Sequence, residues 1–151
     1  MPERSITGKG DAMTAKELLC QYQDKLKEIH RLHDHLRELR DLAENTTVDP
    51  TREKIQTSGS KDRLGDITAR IADISCEILD NISECIDAMQ TAEEAIMQLD
   101  NEDERIILQE RYIEGLPWNE IEKRHYYSRA WLMDVHSRAL KKISAKNESL
   151  D

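Results

Sequence analysis

The chain has 151 residues, 38% hydrophobic and 35% charged, with no Phe, 5 Gly, 3 Pro and a formal net charge of -9. That is the balance of long solvated helices rather than of a thick globular core, with room for one domain or a small domain plus an extension. No apolar run approaches the ~18 to 20 residues of a membrane span and the N-terminus lacks an apolar signal core, which points to the cytoplasm and away from the membrane.

Met1 to Ala12 ("MPERSITGKGDA") is polar, contains glycine and has no period, so residues 1–13 read as a disordered leader or an upstream start. In "TAKE", Thr14 and Glu17 stand three apart ahead of an apolar run, the capping-box arrangement that satisfies free amides at a helix start. Leu18, Tyr22, Leu26, Ile29, Leu32, Leu36, Leu39 and Ala43 follow at steps of three and four and predict one helix to about Glu44. Asp49-Pro50 and Ser58-Gly59-Ser60 then break the pattern, which makes residues 45–62 a flexible connection.

A more regular stripe follows: Leu64, Ile67, Ile71, Ile74, Ile78, Ile82, Cys85, Met89, Ala92, Ile96 and Leu99. Its mean step is that of a coiled-coil seam, on a rod roughly 50 Å long. A single helix cannot bury such a stripe, so residues 14–99 are expected to fold back as an antiparallel coiled-coil hairpin. Two helices still leave each seam half exposed, and a second copy completing a four-helix bundle predicts a homodimer. In "HRLHDH", His30 and His33 share a face and His35 lies near. Without Cys or Glu-x-x-His pairing, a solvated or partner-facing cluster is the better reading than a metal site. Cys20, Cys76 and Cys85 form no CxxC pair, which indicates neither a disulfide framework nor zinc. They read as small apolar fillers in a reducing compartment.

Charge is unevenly placed. Met1 to Lys61 is neutral; Asp62 to Gly115 carries 4 basic and 15 acidic residues; Leu116 to Lys146 reverses to 7 basic and 3 acidic. A basic module on an acidic stalk suits a protein of which one end meets a polyanion.

The acidic run "DNEDE" at Asp100 to Glu104 suits a helix N-terminus, and a helix from about Glu102 to Ile113 is expected to end at Gly115. Pro117 fits the first turn of a short helix whose Trp118 and Ile121 face inward, and Ser128 fits the N-cap of a last helix. Leu132, Val135, Ala139, Leu140 and Ile143 give that helix a buried side, and Arg129, Ala130, Met133, Asp134 and Ser137 lie opposite, where a recognition helix faces the major groove. Ser128, Arg129, Ala130, Met133 and Ser137 are therefore candidate base contacts, with Arg129 suited to a bidentate guanine contact. Asn119, Lys123, Arg124, Arg138, Lys141 and Lys142 are candidate phosphate contacts. Residues 100–145 form a small helix-turn-helix domain in this reading, and 146–151 a flexible tail.

The stretch "LDNEDERIILQERYIEGLPWNEIEKRHYYSRAWLMDVHSRALKKI" resembles region four of bacterial sigma factors: "RYIEG" closes a helix, "W-x-E-I" follows, and "YSR" opens a helix that closes with "RALKKI". The whole order from Met13 to Ile143 is similar to a family of short phage and prophage proteins that includes the ArpU and RinA-like late-gene regulators. The resemblance implies an all-α fold, binding of double-stranded DNA without a cofactor, RNA polymerase as a further partner, and a bacterial host cell. Ile121, Tyr127, Leu132 and Val135 keep the motif's apolar positions. Glu122 stands where alanine is usual and Tyr126 where glycine is usual, asking a bulky residue for positive φ if the turn keeps its form. His125 and Glu110 replace usual aliphatics.

A protein-interaction module that docks on RNA polymerase or another regulator without touching DNA is the alternative, favoured by Glu122, Tyr126, Asp134 and the acidic stalk. Small subunits of phage packaging machines join similar parts but with the DNA-binding part first. No Gly-rich phosphate loop and no nucleophile constellation suggests an enzyme.

Overall fold

The computed structural model describes residues 13–47 and 57–150, with side chains over 13–45 and 61–149. The fold is all-α: α1 (Ala15–Thr47), α2 (Thr57–Met97), α3 (Glu102–Leu108) continued by a π-helical turn (Gln109–Ile113), α4 (Trp118–His125) and α5 (Arg129–Leu150). The expected leader over 1–13, but for Met13, and the expected break at Asp49-Pro50 lie outside the described residues. At Ser58-Gly59-Ser60 the backbone is already helical, since α2 starts at Thr57, so this part of the expected connection is corrected. One glycine among polar residues costs a helix only about 1 kcal/mol relative to alanine, and the long helix that follows carries it.

The start of α1 follows the sequence signal. Thr14 Oγ1 accepts from the Glu17 amide at 3.1 Å while Glu17 Oε2 accepts from the Thr14 amide at 3.1 Å.

Residues 25–84 form one compact unit. Leu32, Leu36 and Leu39 of α1 bury themselves with Ile67 and Ile74 of α2, flanked by Ala43, Ile71 and Ile78. Lys25 of α1 also bonds Glu84 of α2 at 2.5 Å. Leu79 stays 67% exposed and Ile82 39%.

The second unit joins residues 13–24 with 85–150. Its first core gathers Ala15 and Leu19 from α1, Ala92, Ala95 and Ile96 from α2, Leu99, Leu108, Tyr112, and Ala139 and Ile143 from α5. One core thus takes in both sides of the boundary that the sequence reading puts between Leu99 and Asp100. Leu19 is off the predicted stripe yet fully buried. Gln23 strengthens the same junction: its Nε2 donates to the carbonyls of Tyr112 and Ile113, each at 3.1 Å. A second core holds Ile107, Ile121, Leu132 and Val135, with Leu116, Trp118, Tyr127, Trp131 and Met133 against its edge.

The expected helix over 102–113 is α-helical only to Leu108. Over Gln109–Ile113 it widens to a π turn, closed by the Glu114 amide on the Gln109 carbonyl at 3.0 Å and the Leu116 amide on the Glu110 carbonyl at 2.9 Å. Gly115 then takes φ +75°, and a Cβ there would stand 3.0 Å from Gln23 Oε1, so both backbone and space call for glycine. Pro117 caps α4 rather than entering it, with φ -69° and ψ 156°, and α5 runs past Ile143 to Leu150.

Leu19→Ala is expected to destabilise the fold by about 3 kcal/mol in urea denaturation, through a cavity in the core shared by α1, α2 and α5.

Candidate nucleic-acid interface

The sequence places its candidate contacts on the last helix, and what orients that helix is burial. Leu132, Val135, Ala139 and Ile143 are at most 2% exposed, and Leu140 is half-buried. At 3.6 residues per turn their burial turns the opposite face outward. Arg129, Ala130, Asp134, Ser137, Arg138 and Lys141 are all exposed, and Ser128 is exposed at the helix start. Met133 departs from the expected outward set, since it is half-buried at the edge of the second core.

The turn before α5 keeps the form that normally calls for glycine. Tyr126 adopts φ 60° and ψ 34°, the only non-glycine residue with positive φ among the described residues. Its side chain is 94% exposed, so the left-handed backbone costs about 1 kcal/mol without an obvious packing return. Ser128 Oγ accepts from the Trp131 amide at 3.2 Å, the expected cap, and its hydroxyl hydrogen remains available to donate outward.

Two departures from the motif turn out to be partners. Glu110, 6% exposed, accepts from His125 Nε2 at 2.8 Å on both oxygens, and Arg124 Nη1 adds a bond at 3.2 Å. A buried carboxylate without such partners would be strongly unfavourable. His125 stacks on Tyr127 at 5.2 Å, and Tyr127 tilts against Trp131 at 4.1 Å, so a polar and aromatic chain spans the turn. Arg124 also reaches Glu114 Oε1 at 3.2 Å, and both carboxylates raise its pKa.

The candidate phosphate contacts differ in how free they are. Lys142 Nζ donates to both oxygens of Glu104 at 2.9 Å, and Glu104 is fully buried. The sequence places Glu104 in the acidic run at a helix N-terminus, and no local pattern signals a partner 38 residues away. Arg138 lies 3.5 Å from Asp134 and Lys123 3.9 Å from Glu120, loose pairs on exposed helix faces. Asn119 is exposed on the first turn of α4. Arg129 Nε donates to Glu122 Oε2 at 2.7 Å, and its Nη2 lies 2.5 Å from the same oxygen.

Behind α5 lies a contact that the sequence did not announce. Tyr112 Oη and His136 Nε2 are 2.6 Å apart, Trp118 meets the imidazole edge-on at 4.9 Å, and Arg111 lies 4.7 Å from the Trp118 ring centre. Burial, then the charges of Lys16 and Arg111, push His136 down to about 4. Burial, with a smaller contribution from Cys20, pushes Tyr112 up to about 12. Both groups are neutral at ordinary pH and hold α5 to the π turn.

His30 and His33 are exposed and His35 half-buried, and no group of three or more His, Cys, Asp or Glu able to hold a metal occurs among the described residues. No helix of the described residues is long and apolar enough to cross a membrane. Comparison with known protein families, curated proteins and solved structures finds no match to this chain.

Below the ordinary histidine value of 6.5 the unfolded chain binds a proton that folded His136 refuses until about pH 4. The stability contribution is therefore whole above pH 6.5, falls as pH drops through that window, and levels off below about 4. Urea denaturation at pH 7 and pH 4.5 should show a loss about 2 kcal/mol larger for the wild type than for His136→Gln.

Proposed function

We propose that the chain is a sequence-specific DNA-binding transcriptional regulator of the phage late-gene or promoter-associated kind, with residues 128–143 of α5 in the major groove. The observation that carries this reading is the outward face of α5: Arg129, Ala130 and Ser137 are exposed while Leu132 and Val135 on the other side are buried. A helix held along one flank by a hydrophobic core, with a short helix and a tight turn before it, matches the form in which a recognition helix enters a groove about 12 Å wide. The likeness of "RYIEG" and "YSR…RALKKI" to region four of sigma factors supports it from the sequence side.

Homodimerisation through α1 and α2 belongs to the same proposal. On α2, Leu79 and Ile82 stay 67% and 39% exposed, an apolar surplus at helical spacing that a second copy would cover. A bacterial cytoplasm and contact with RNA polymerase complete the reading.

The alternative, docking on RNA polymerase or another regulator without DNA contact, draws support from the ion pairs. Arg124, Arg129, Arg138 and Lys142 each have a carboxylate partner, which lowers the positive field available to a polyanion.

Titrating the protein with duplex DNA at several salt concentrations separates the two. Lys123, Arg138 and Lys141 with one further contact give a log-log slope of about -3 to -4 per protomer, and a response flat in salt would exclude the DNA reading.

A further inference from the structure

Glu122 is the departure that counts most against DNA binding on charge alone, because it puts a carboxylate beside the face proposed to meet phosphates. Its geometry gives it another role. A guanidinium offers five N-H donors along two usable edges: the side edge of Nε and one terminal nitrogen, and the outer fork of the two terminal nitrogens. Glu122 Oε2 takes the side edge, with Nε at 2.7 Å and Nη2 at 2.5 Å, and no other bond of Arg129 competes for it. The outer fork stays unengaged, on a side chain 53% exposed at the first residue of α5.

We infer that Glu122 is the specificity-determining partner of Arg129, a positioning residue that presents the outer fork to a guanine edge and withholds the guanidinium from phosphates. This rests on the DNA-binding reading above. Both halves follow from chemistry. The O6 and N7 atoms of guanine are neutral acceptors that match a fork and do not need its net charge, so a fork already oriented by a carboxylate binds them with little ordering cost. A phosphate is an anion, and Glu122 competes with it for the same cation and repels it. Specificity is a difference of affinities, and a group that weakens the unwanted complex more than the wanted one widens it. Glu122 reaches Arg129 from α4 across the turn, and the left-handed backbone of Tyr126 lies in that turn between them.

The test uses the full chain and a library of duplexes randomised over about 20 base pairs, selected in parallel with wild type, Glu122→Ala and Glu122→Gln; affinity for unselected duplex is measured against salt. Wild type should enrich guanine at one position in each half-site. Glu122→Ala should lower that preference about tenfold. It should also raise affinity for unselected duplex about fivefold near 0.1 M salt and steepen the log-log slope by about 1 per protomer, as Arg129 turns to phosphate. Glu122→Gln, which keeps an acceptor for Nε but no charge, should retain most of the guanine preference while showing the same gain on unselected duplex. A destabilised domain would lose both affinities, so the gain separates positioning from a merely structural role. If wild type selects a sequence and Glu122→Ala selects it with the same preference and slope, the inference about Glu122 is overturned and the DNA-binding reading stands. If wild type enriches no sequence and shows no salt-dependent binding, both are overturned.

Discussion

The burial of one side of α5 in two separate cores is the constraint on which the remaining geometry depends. Leu132 and Val135 close the core with Ile107 and Ile121; Ala139 and Ile143, two turns on, close the core with Ala15, Leu19, Ala92 and Leu99. A helix anchored at two points along its length cannot roll, because a roll that exposed one pair would expose the other. Arg129, Ala130, Ser137 and Lys141 are outward for this reason and not through any preference of their own. The Tyr112–His136 contact adds a polar lock on a third side, at a site dry enough to keep the imidazole neutral. Any function assigned to the outer face inherits this rigidity, which is what precise presentation of side chains requires.

Charge is handled by the same economy of positions. The chain is acidic as a whole, yet Leu116 to Lys146 is basic, and the carboxylates that meet this stretch stand next to its cations rather than apart from them. Glu104 and Glu110 are buried and bonded by Lys142, and by His125 with Arg124; half-buried Glu122 and exposed Asp134 pair with Arg129 and Arg138. The buried pairs stiffen the module, since removing either partner would leave an uncompensated charge. Surface pairs have little effect on stability but reduce indiscriminate attraction to polyanions. A weak general affinity leaves room for a sharp local one, which is the property a sequence reader needs.

Much of the fold was legible because helical periodicity and capping are local. The stripe through Leu32, Leu36 and Leu39 and its partner through Ile67 and Ile74, the Thr14 and Glu17 box, the Ser128 cap and the inward face of Leu132 and Val135 all lie within a few residues of the signal that predicts them. What escaped is non-local. Ala15 and Leu19 sit off the stripe because the first turns of α1 pack on α5 as well as on α2, and only the tertiary fold creates that second face. The substitutions at Glu110 and His125 were visible singly, but their pairing appears only when the π turn and the end of α4 meet. The π turn itself has no sequence signature, and the start of α2 through Gly59 shows a long amphipathic helix overriding a weak local break.

The central claim, that a rigidly held α5 meets duplex DNA with its outer face, is tested most directly by amide chemical-shift mapping of the full chain titrated with a duplex taken from random-library selection. Shifts are expected at Ser128, Arg129, Ala130, Ser137 and Lys141, with Leu19, Leu36 and Ile74 unmoved. Shifts confined to residues 25–84, or none at all on α5 while the chain still binds RNA polymerase, would contradict it.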